Sequence, residues 1–199
     1  MKTADVIIVG SGASGLFNAL FLPQDYKVIV ITKKEVEESD SFLAQGGISA
    51  LKNPEDYDSY FEDTMKAGHY ENDKGAVEKM IKESPQIIQD LKDFGVRFDL
   101  KDGEIEFTRE GGHSTFRILH HEDLTGKEIT SHLYEEAKKR DNITIMENCT
   151  MIDIIEKDGE CKGIVYKDQD GNFDTIEAPD TVLATGGLGG LNILQTSDI

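Results

Sequence analysis

Short runs of apolar residues alternate with helical patterns along this chain. Val6-Ile7-Ile8-Val9 is an unbroken β-branched run, which predicts a strand buried on both faces of a parallel sheet. A helix over 16–22 and a second strand over 27–31 follow, and residues 143–147 predict a further parallel strand. Strands that alternate with helices in this way are typical of an α/β fold.

Three longer segments repeat apolar residues at helical spacing. They predict helices over 54–70, 73–94 and 126–140, with a kink at Pro85 and an end at Gly95 in the second. Residues 151–178 alternate differently, and the turns Asp158-Gly159 and Asp170-Gly171 divide them into a β-meander. A last strand is predicted over 181–184.

The turn after the first strand has the spacing G-x-G-x-x-G. Gly10 would permit a tight turn, Gly12 would let a diphosphate approach the backbone, and Gly15 would let the next helix pack on the sheet. The helix N-terminus adds N–H groups that favour an anion. A Gly-rich turn in an ordinary α/β protein is the alternative, but the strand and helix around the motif favour dinucleotide binding. The predicted contacts are Gly10, Ser11, Gly12, Ala13, Ser14 and Gly15.

The second strand ends without the acid that binds the ribose of NAD. Thr32 and Lys33 lie at that position, and Glu35 comes late. Two alternatives remain, namely FAD held differently at its adenosine end, or NADP with Lys33 on the 2′-phosphate.

Two further glycine-containing segments predict a close approach of backbone to a ligand. Residues 39–50 combine the Gly46-Gly47 pair with apolar residues and with Gln45, an amide that suits the edge of a flavin ring. This segment is either a surface loop or a buried loop whose backbone a ligand satisfies, and its apolar residues favour burial. The last strand runs into Thr185-Gly186-Gly187-Leu188-Gly189-Gly190.

Residues 108–121 gather charged side chains around Gly111-Gly112. The segment contains Arg109, Glu110, His113, Arg117, His120 and His121. Arginine offers a forked pair of donors, so a site that recognises carboxylates is one interpretation and a charged surface loop is the other.

Composition limits the function classes. The net charge of −18 over 199 residues disfavours nucleic acid and anionic membrane surfaces as partners. Cys149 and Cys161 form no C-x-x-C pair, which predicts reduced thiols, no metal site and a cytoplasmic protein. We expect no signal peptide and no membrane span, because the apolar runs are short.

Several of these segments together resemble the flavoproteins of the succinate dehydrogenase, fumarate reductase and L-aspartate oxidase group. They are the first glycine turn, Ala44-Gln45-Gly46-Gly47 and Ala184-Thr185-Gly186-Gly187. Within the group, residues 108–114 (Thr-Arg-Glu-Gly-Gly-His-Ser) are similar to L-aspartate oxidases, as are 117–120 (Arg-Ile-Leu-His) and the pattern Asp-x-Thr-Gly-Lys-Glu at 123–128. The membrane-complex members carry Gln where this chain has His113. They also have an FAD-linked His where it has Asp40, so the resemblance implies non-covalent FAD.

The resemblance implies an α/β fold, a Rossmann-like FAD-binding domain with a parallel sheet and an inserted β-meander over residues 1–199. Lys33 would lie near the adenosine, and backbone near Thr150 or Met151 would meet the adenine. The glycine turn and Thr185-Gly186 would also contact FAD. The residues expected to wrap the pyrophosphate and flavin are Asp40, Ser41, Phe42, Leu43, Ala44, Gln45, Gly46 and Gly47. Family members are longer, so we expect an incomplete chain without their capping and helical C-terminal domains.

The resemblance also implies catalytic residues. Glu110 matches an acid that orients the substrate amino group, and His113 is either a neighbour of substrate or flavin or a structural residue. The implied activity is FAD-dependent oxidation of L-aspartate to iminoaspartate, with hydride passing from Cα to flavin N5. This is the first step of de novo NAD biosynthesis, with oxygen or fumarate as electron acceptor and a functional link to quinolinate synthase.

Two alternatives to this activity remain. One is a soluble fumarate reductase or succinate dehydrogenase-type flavoprotein, against which Asp40 and Glu110 argue. The other is a catalytically inactive FAD-binding fragment, which the length of the chain favours.

Overall fold

The computed structural model describes residues 2–187, and the last two expected glycines, Gly189 and Gly190, lie outside them. The chain divides into two compact units, which we call unit 1 (Met1–Ala44 with Ile129–Ile199) and unit 2 (Gln45–Glu128). The single FAD-binding domain expected over residues 1–199 stays a prediction.

Every predicted strand and helix is present in its predicted order, and several short elements that were not predicted lie between them. The strands are β1 (Lys2–Thr3), β2 (Val6–Val9), β3 (Val28–Ile31), β4 (Ile48–Ser49), β5 (Leu100–Lys101), β6 (Glu104–Ile105), β7 (Phe107–Thr108), β8 (Ile118–Leu119), β9 (Ile143–Met146), β10 (Thr150–Lys157), β11 (Glu160–Lys167), β12 (Phe173–Glu177) and β13 (Asp180–Leu183). The helices are α1 (Ala13–Phe21), α2 (Asp40–Leu43), α3 (Tyr57–Ala67), α4 (Lys74–Asp93) and α5 (Thr125–Lys138).

Unit 1 is built on a four-stranded parallel sheet in the order β13-β2-β3-β9. Val6 pairs with Asp180 on one side and with Val28 on the other, and Val28 pairs in turn with Ile143. Every residue of β2 and β3 is buried. The unbroken apolar runs therefore predicted these central strands correctly.

The predicted meander forms a second sheet in unit 1. Strands β10, β11 and β12 pair antiparallel, and β1 joins β12 in parallel. Asp158 and Gly159 both have positive φ, 58° and 81°, which is the two-residue turn expected from an Asp-Gly pair. Ile164 and Ile176 of the meander share one buried core with Ile7 and Ile29 of the parallel sheet.

Unit 2 contains the two long predicted helices. They pack through a buried cluster of Tyr60, Met65, Val77 and Ile81. The first helix begins at Tyr57, later than predicted, because Pro54–Asp56 forms a separate 3-10 turn. The second is capped by Asp73 and runs through Pro85 as one helix of 20 residues. Within residues 2–187, no helix has both the length and the apolar character that a membrane span needs.

Short strands complete unit 2. A three-stranded sheet has the order β4-β8-β7, and β5 and β6 form a two-stranded hairpin. Asp102 and Gly103 turn that hairpin with φ values of 55° and 86°. The hairpin was missed in the sequence, although its Asp-Gly pair is the same signal that identified the meander.

Gly163 allows the close approach of two meander strands. Its φ is +137°, and a Cβ there would lie 2.0 Å from the carbonyl oxygen of Ile176. We expect Gly163→Ala to destabilise the protein by at least about 2 kcal/mol, since it adds a backbone clash to an unfavourable φ. Urea unfolding followed by circular dichroism measures the change.

Gly159→Ala is the matched control for this substitution. Gly159 also has a positive φ, +81°, but nothing lies within 4 Å of an added Cβ. We expect it to cost about 1–2 kcal/mol, the conformational penalty alone. Equal losses for the two variants would show that the close approach at Gly163 has no energetic weight.

Candidate functional site

The carboxyl ends of the parallel strands collect the predicted cofactor segments of unit 1 at one edge. Gly10 follows β2, Lys33 follows β3 after Thr32, and Thr150 lies just beyond β9. The segment Ala184-Thr185-Gly186 follows β13. Open α/β sheets bind ligands outside the carboxyl ends of their strands, so four separate stretches of sequence reach the edge where a dinucleotide is expected.

Two glycines of the first turn have no space for a side chain. Gly10 has φ +115°, and a Cβ there would lie 2.1 Å from the carbonyl oxygen of Ala184. A Cβ on Gly15 would lie 2.0 Å from the carbonyl oxygen of Gly10. The tight turn and the close helix packing that the spacing predicted are therefore both present.

The N-terminus of α1 has free hydrogen-bonding capacity. Gly12 is its N-cap, which supplies no side-chain bond, and its first turn carries no acidic residue. Ser11 is 2% exposed. Its Oγ has no hydrogen-bond partner among residues 2–187. An orphaned buried hydroxyl beside uncapped N–H groups fits a diphosphate, which accepts hydrogen bonds and is favoured by the helix dipole.

Residues 39–44 form part of the same unit. Ser39 Oγ accepts a hydrogen bond from the amide of Phe42 and starts the one-turn helix α2. Ser41 Oγ lies 2.9 Å from where a Cβ on Gly12 would stand, so these two predicted cofactor segments are adjacent. The expectation that residues 39–50 are a buried loop is wrong over 43–46, and Leu43 is 57% exposed. The amides of Phe42 and Leu43 both donate to the carbonyl of Ser39, so these groups need no ligand to satisfy them.

The remaining cofactor residues of unit 1 differ in exposure. Lys33 is exposed, so its ammonium is accessible to a phosphate, while Thr150 and Met151 are half-buried. Met151 packs against the core that the two sheets of unit 1 share.

In unit 2, Glu110 lies beside the Gly46-Gly47 pair. The amide of Gly47 donates to Glu110 Oε1 at 3.0 Å. A Cβ on Gly47 would lie 2.3 Å from Ile118 Cγ2, so glycine is required for this approach.

A cavity of about 460 Å³ is lined by Gln45, Gly47, Thr108, Glu110, His120, Glu122 and Asp123. Three of these residues carry carboxylates and none is Lys or Arg, which favours a cationic ligand group.

His120 and His121 share one carboxylate. Their Nδ1 atoms lie 3.1 and 3.3 Å from the oxygens of Asp99. His121 also lies 3.9 Å from Glu128, whose carboxylate accepts from Arg97 at 3.0 Å. Some polar side chains of this stretch therefore face the protein's own acids.

Arg117 is fully buried and pairs with two carboxylates of unit 2. Its Nε and Nη2 donate to Asp56 at 2.9 and 2.7 Å, and its Nη1 donates to Asp63 at 2.6 Å. Nη2 also donates to Ser59. The interpretation that both arginines of this stretch serve carboxylate recognition is therefore wrong for Arg117, because its donors are already bound by the protein's own acids.

The ion pairs shift the protonation of these acids. Hydrogen bonding to Arg117 holds the pKa of Asp56 well below its usual range. Burial opposes ionisation of Asp63, but hydrogen bonds from Ser114 and Arg117 outweigh it and lower its pKa. Both carboxylates are thus stabilised in the ionised form.

His113 is half-buried against this network. Its Nδ1 lies 3.1 Å from Arg117 Nη1, and its ring meets the Tyr60 ring edge-on at 6.2 Å. The amide of His113 donates to the carbonyl of Glu110, and the amide of Ser114 donates to the carboxylate of Asp63. Ser114, which lies next to His113, is thereby anchored to α3.

A family model described as "FAD binding domain" matches residues 5–197. The chain belongs to this FAD-binding domain family. Since the match covers the glycine turn, and since the orphaned Ser11 and the bare N-terminus of α1 fit a diphosphate, FAD is the cofactor of the domain.

Curated relatives of this FAD-binding domain are L-aspartate oxidases. The protein from Clostridium perfringens is 43% identical over 197 residues, covering 99% of this chain and 45% of the relative. The protein from Clostridium acetobutylicum is 44% identical over 188 residues, covering 94% and 43%. The chain therefore spans less than half the length of these relatives.

Solved structures show the same fold. A quinol fumarate reductase from E. coli has a TM-score of 0.89 at 27% identity, covering 95% of this chain and 34% of that one. A Mycobacterium smegmatis Sdh1 complex has a TM-score of 0.85 at 31% identity, covering 94% and 35%. The predicted fold class, an α/β FAD-binding domain with a parallel sheet, is confirmed.

Removing the hydroxyl of Ser11 tests whether FAD binds at the carboxyl ends of the parallel strands. We expect Ser11→Ala to weaken FAD binding roughly 10-fold or more, since it removes a hydrogen bond to a charged group. It should not lower the stability of the free protein, because the hydroxyl has no partner to lose. Flavin fluorescence titration and thermal unfolding without FAD measure the two effects.

Thr130→Val is the matched control. Thr130 is also buried, and its hydroxyl has no partner in the described part of the chain, but it lies on α5 and outside the glycine turn. We expect unchanged FAD affinity. The assignment of Ser11 fails if both variants bind FAD as the wild type does.

The Arg117 ion pair predicts a pH dependence of stability. The folded-state pKa of Asp56 is depressed, so its stabilisation is present above the unfolded value near 4 and is lost as the pH falls below it. We expect Asp56→Asn to cost about 3 kcal/mol at pH 7 and to flatten the decline of stability below about pH 4. Urea unfolding across this pH range measures both effects.

Asp58→Asn is the control for this pair. Asp58 lies two residues further on, in the first turn of α3, but its side chain is exposed. We expect a change within about 0.5 kcal/mol and an unaltered pH profile. A loss as large as that of Asp56→Asn would contradict the ion-pair explanation.

Proposed function

We propose that this chain is the FAD-binding part of an L-aspartate oxidase, acting on L-aspartate to give iminoaspartate. The observation that carries the proposal is the position of Glu110, held at 3.0 Å by the amide of Gly47 on the wall of an acidic cavity. The names of the curated relatives support the same substrate.

The residues at the carboxyl edge of the parallel sheet would hold FAD. The first glycine turn and Ser11 would bind the diphosphate, and exposed Lys33 would lie near the adenosine. Bound FAD supplies a ring that accepts a hydride equivalent from the substrate carbon. Asp40 offers a carboxylate where a covalent link would need a nucleophilic ring nitrogen, so we propose that FAD is bound non-covalently.

Glu110 would recognise the feature that distinguishes aspartate from succinate. Aspartate carries an ammonium group, and an ionised carboxylate favours a cation in a cavity without competing Lys or Arg side chains. Glu122 and Asp123 add to the same negative potential. Succinate carries no ammonium group that these carboxylates could bind. The acidic lining of the cavity therefore favours aspartate over succinate as the substrate.

The remaining steps of the proposal concern the partners of the whole protein. Oxygen or fumarate would reoxidise the cofactor, and quinolinate synthase would take up the product in NAD biosynthesis, in the cytoplasm. These proposals rest on the resemblance of residues 108–128 to L-aspartate oxidases.

The first test is the visible spectrum of the protein loaded with FAD. We expect the flavin absorbance to leave with the supernatant after acid precipitation, and to bleach when L-aspartate is added without oxygen. Bleaching by succinate and not by L-aspartate would favour the fumarate reductase alternative. Bound flavin that neither compound reduces would favour the inactive FAD-binding fragment.

Glu110→Gln tests the role of the acid. We expect it to raise the L-aspartate concentration needed for half-maximal bleaching at least about tenfold, since it removes a charge-assisted contact while keeping the side-chain shape. Glu104→Gln is the matched control, because Glu104 is exposed on the β5–β6 hairpin and does not line the cavity. Equal responses of the two variants would remove Glu110 from the proposal.

A further inference from the structure

We propose that Arg117 is a positioning residue that holds His113 as the neutral tautomer with its proton on Nε2, so that His113 presents a fixed hydrogen-bond donor to a carboxylate ligand. The contact that carries the proposal is the distance of 3.1 Å between Arg117 Nη1 and His113 Nδ1. The tautomer follows from this geometry alone. The identity of the ligand rests on the proposed function.

The direction of the hydrogen bond decides the tautomer. A guanidinium carries five N–H donors and no acceptor, and it stays protonated in proteins. Nδ1 of His113 must therefore accept, and a neutral imidazole that accepts at Nδ1 carries its proton on Nε2. A proton on Nδ1 would place two donors against each other, and protonation of both ring nitrogens would in addition place a second positive charge beside Arg117.

Arg117 cannot turn away from His113. Two carboxylates fix it, Asp56 through Nε and Nη2 and Asp63 through Nη1, and its side chain is fully buried. Its guanidinium carbon lies 4.8 Å from the centre of the Tyr60 ring. The tautomer of His113 is thus set by a network whose other members lie on α3 or just before it.

The other side of the imidazole is free to act. Within the described residues, His113 Nε2 has no protein hydrogen-bond partner. Since it is absent from the buried atoms that lack a partner, it is accessible at the surface. Among residues 2–187, and apart from each glycine's own chain neighbours, no atom lies within 4 Å of a Cβ added to Gly111 or Gly112, so the turn that leads to His113 has room beside it. Nε2–H is therefore available to a ligand.

Glu110 and His113 stand at the two ends of this turn. The amide of His113 donates to the carbonyl of Glu110 at 3.3 Å, and Gly112 has φ +83°. One end offers a carboxylate acceptor and the other a neutral N–H donor. An amino acid carries the complementary pair, an ammonium and a carboxylate, which is why we assign a carboxylate to His113.

Nitrogen NMR of the labelled full chain tests the tautomer directly. We expect the His113 ring to give one pyrrole-type signal from Nε2 and one pyridine-type signal from Nδ1 at its unprotonated limit. His69, which is exposed at the end of α3, should give averaged signals. Averaged signals at His113, or a proton on Nδ1, would overturn the proposal.

Arg117→Lys separates positioning from general stability. If it folds, His113 should move to the averaged signals of His69, because a lysine cannot keep the fork to both carboxylates and still face Nδ1. An unchanged His113 spectrum in the folded variant would remove Arg117 from its role. If the variant fails to fold, the wild-type spectrum still decides the tautomer.

Substitutions of His113 test the ligand. A glutamine amide places a donor near the Nε2 position, whereas an asparagine amide reaches only the Nδ1 position. We expect His113→Gln to keep the L-aspartate concentration for half-maximal bleaching within about threefold and His113→Asn to raise it about tenfold or more, a loss of one hydrogen bond to a charged group. His69→Gln is the matched control and should change nothing.

The outcomes separate this inference from the proposed function. Equal effects of His113→Gln and His113→Asn would overturn the donor role. A wild type that L-aspartate does not reduce would overturn the proposed function, while the nitrogen spectrum would still confirm or overturn the positioning by Arg117.

Discussion

The structure of unit 1 depends on the first glycine turn, in which Gly10 and Gly15 have no side chains at the points where backbone segments come into contact. The carbonyl of Val9 accepts from the amide of Ala184 at 2.8 Å, directly before the turn at Gly10. Gly10 then passes within contact of Ala184, and Gly15 in α1 contacts the carbonyl of Gly10. The central strand can therefore have β13 beside it and α1 against its end at the same time. The same absence of side chains leaves N–H groups open to a diphosphate.

Unit 2 depends instead on a buried charge. Arg117 is 0% exposed and its guanidinium donates to Asp56, Asp63 and Ser59. A buried ion pair of this kind adds little net stability, but a missing partner would leave an uncompensated charge. The network therefore holds Ser114, Thr115 and Arg117 against Asp56 and Asp63. It is a determinant of geometry more than of stability.

Much of the fold could be predicted because it is local. The runs of β-branched residues identified β2, β3 and β9, and Asp-Gly turns identified the meander. The partners of Arg117 could not be predicted, since Asp56 and Asp63 are 61 and 54 residues away along the chain. The spacing of Asp56, Ser59 and Asp63 around one face of a helix was a signal, but only the fold shows what that face meets. The exposure of Leu43 was missed for a related reason, because its apolar side chain indicated burial while it lies at the end of a short helix that Ser39 caps.

The pairing of Val6 with Asp180 has a consequence for folding during synthesis on the ribosome. Strand β2 needs β13 as its neighbour, and Val6 and Asp180 lie 174 residues apart along the chain. Until residues 143–183 have been synthesised, β2 and β3 have apolar residues on both faces and no complete sheet. Strand edges in this state are templates for pairing with other chains. The nascent chain is therefore exposed to pairing with other chains until β9 and β13 have been made and can flank β2 and β3.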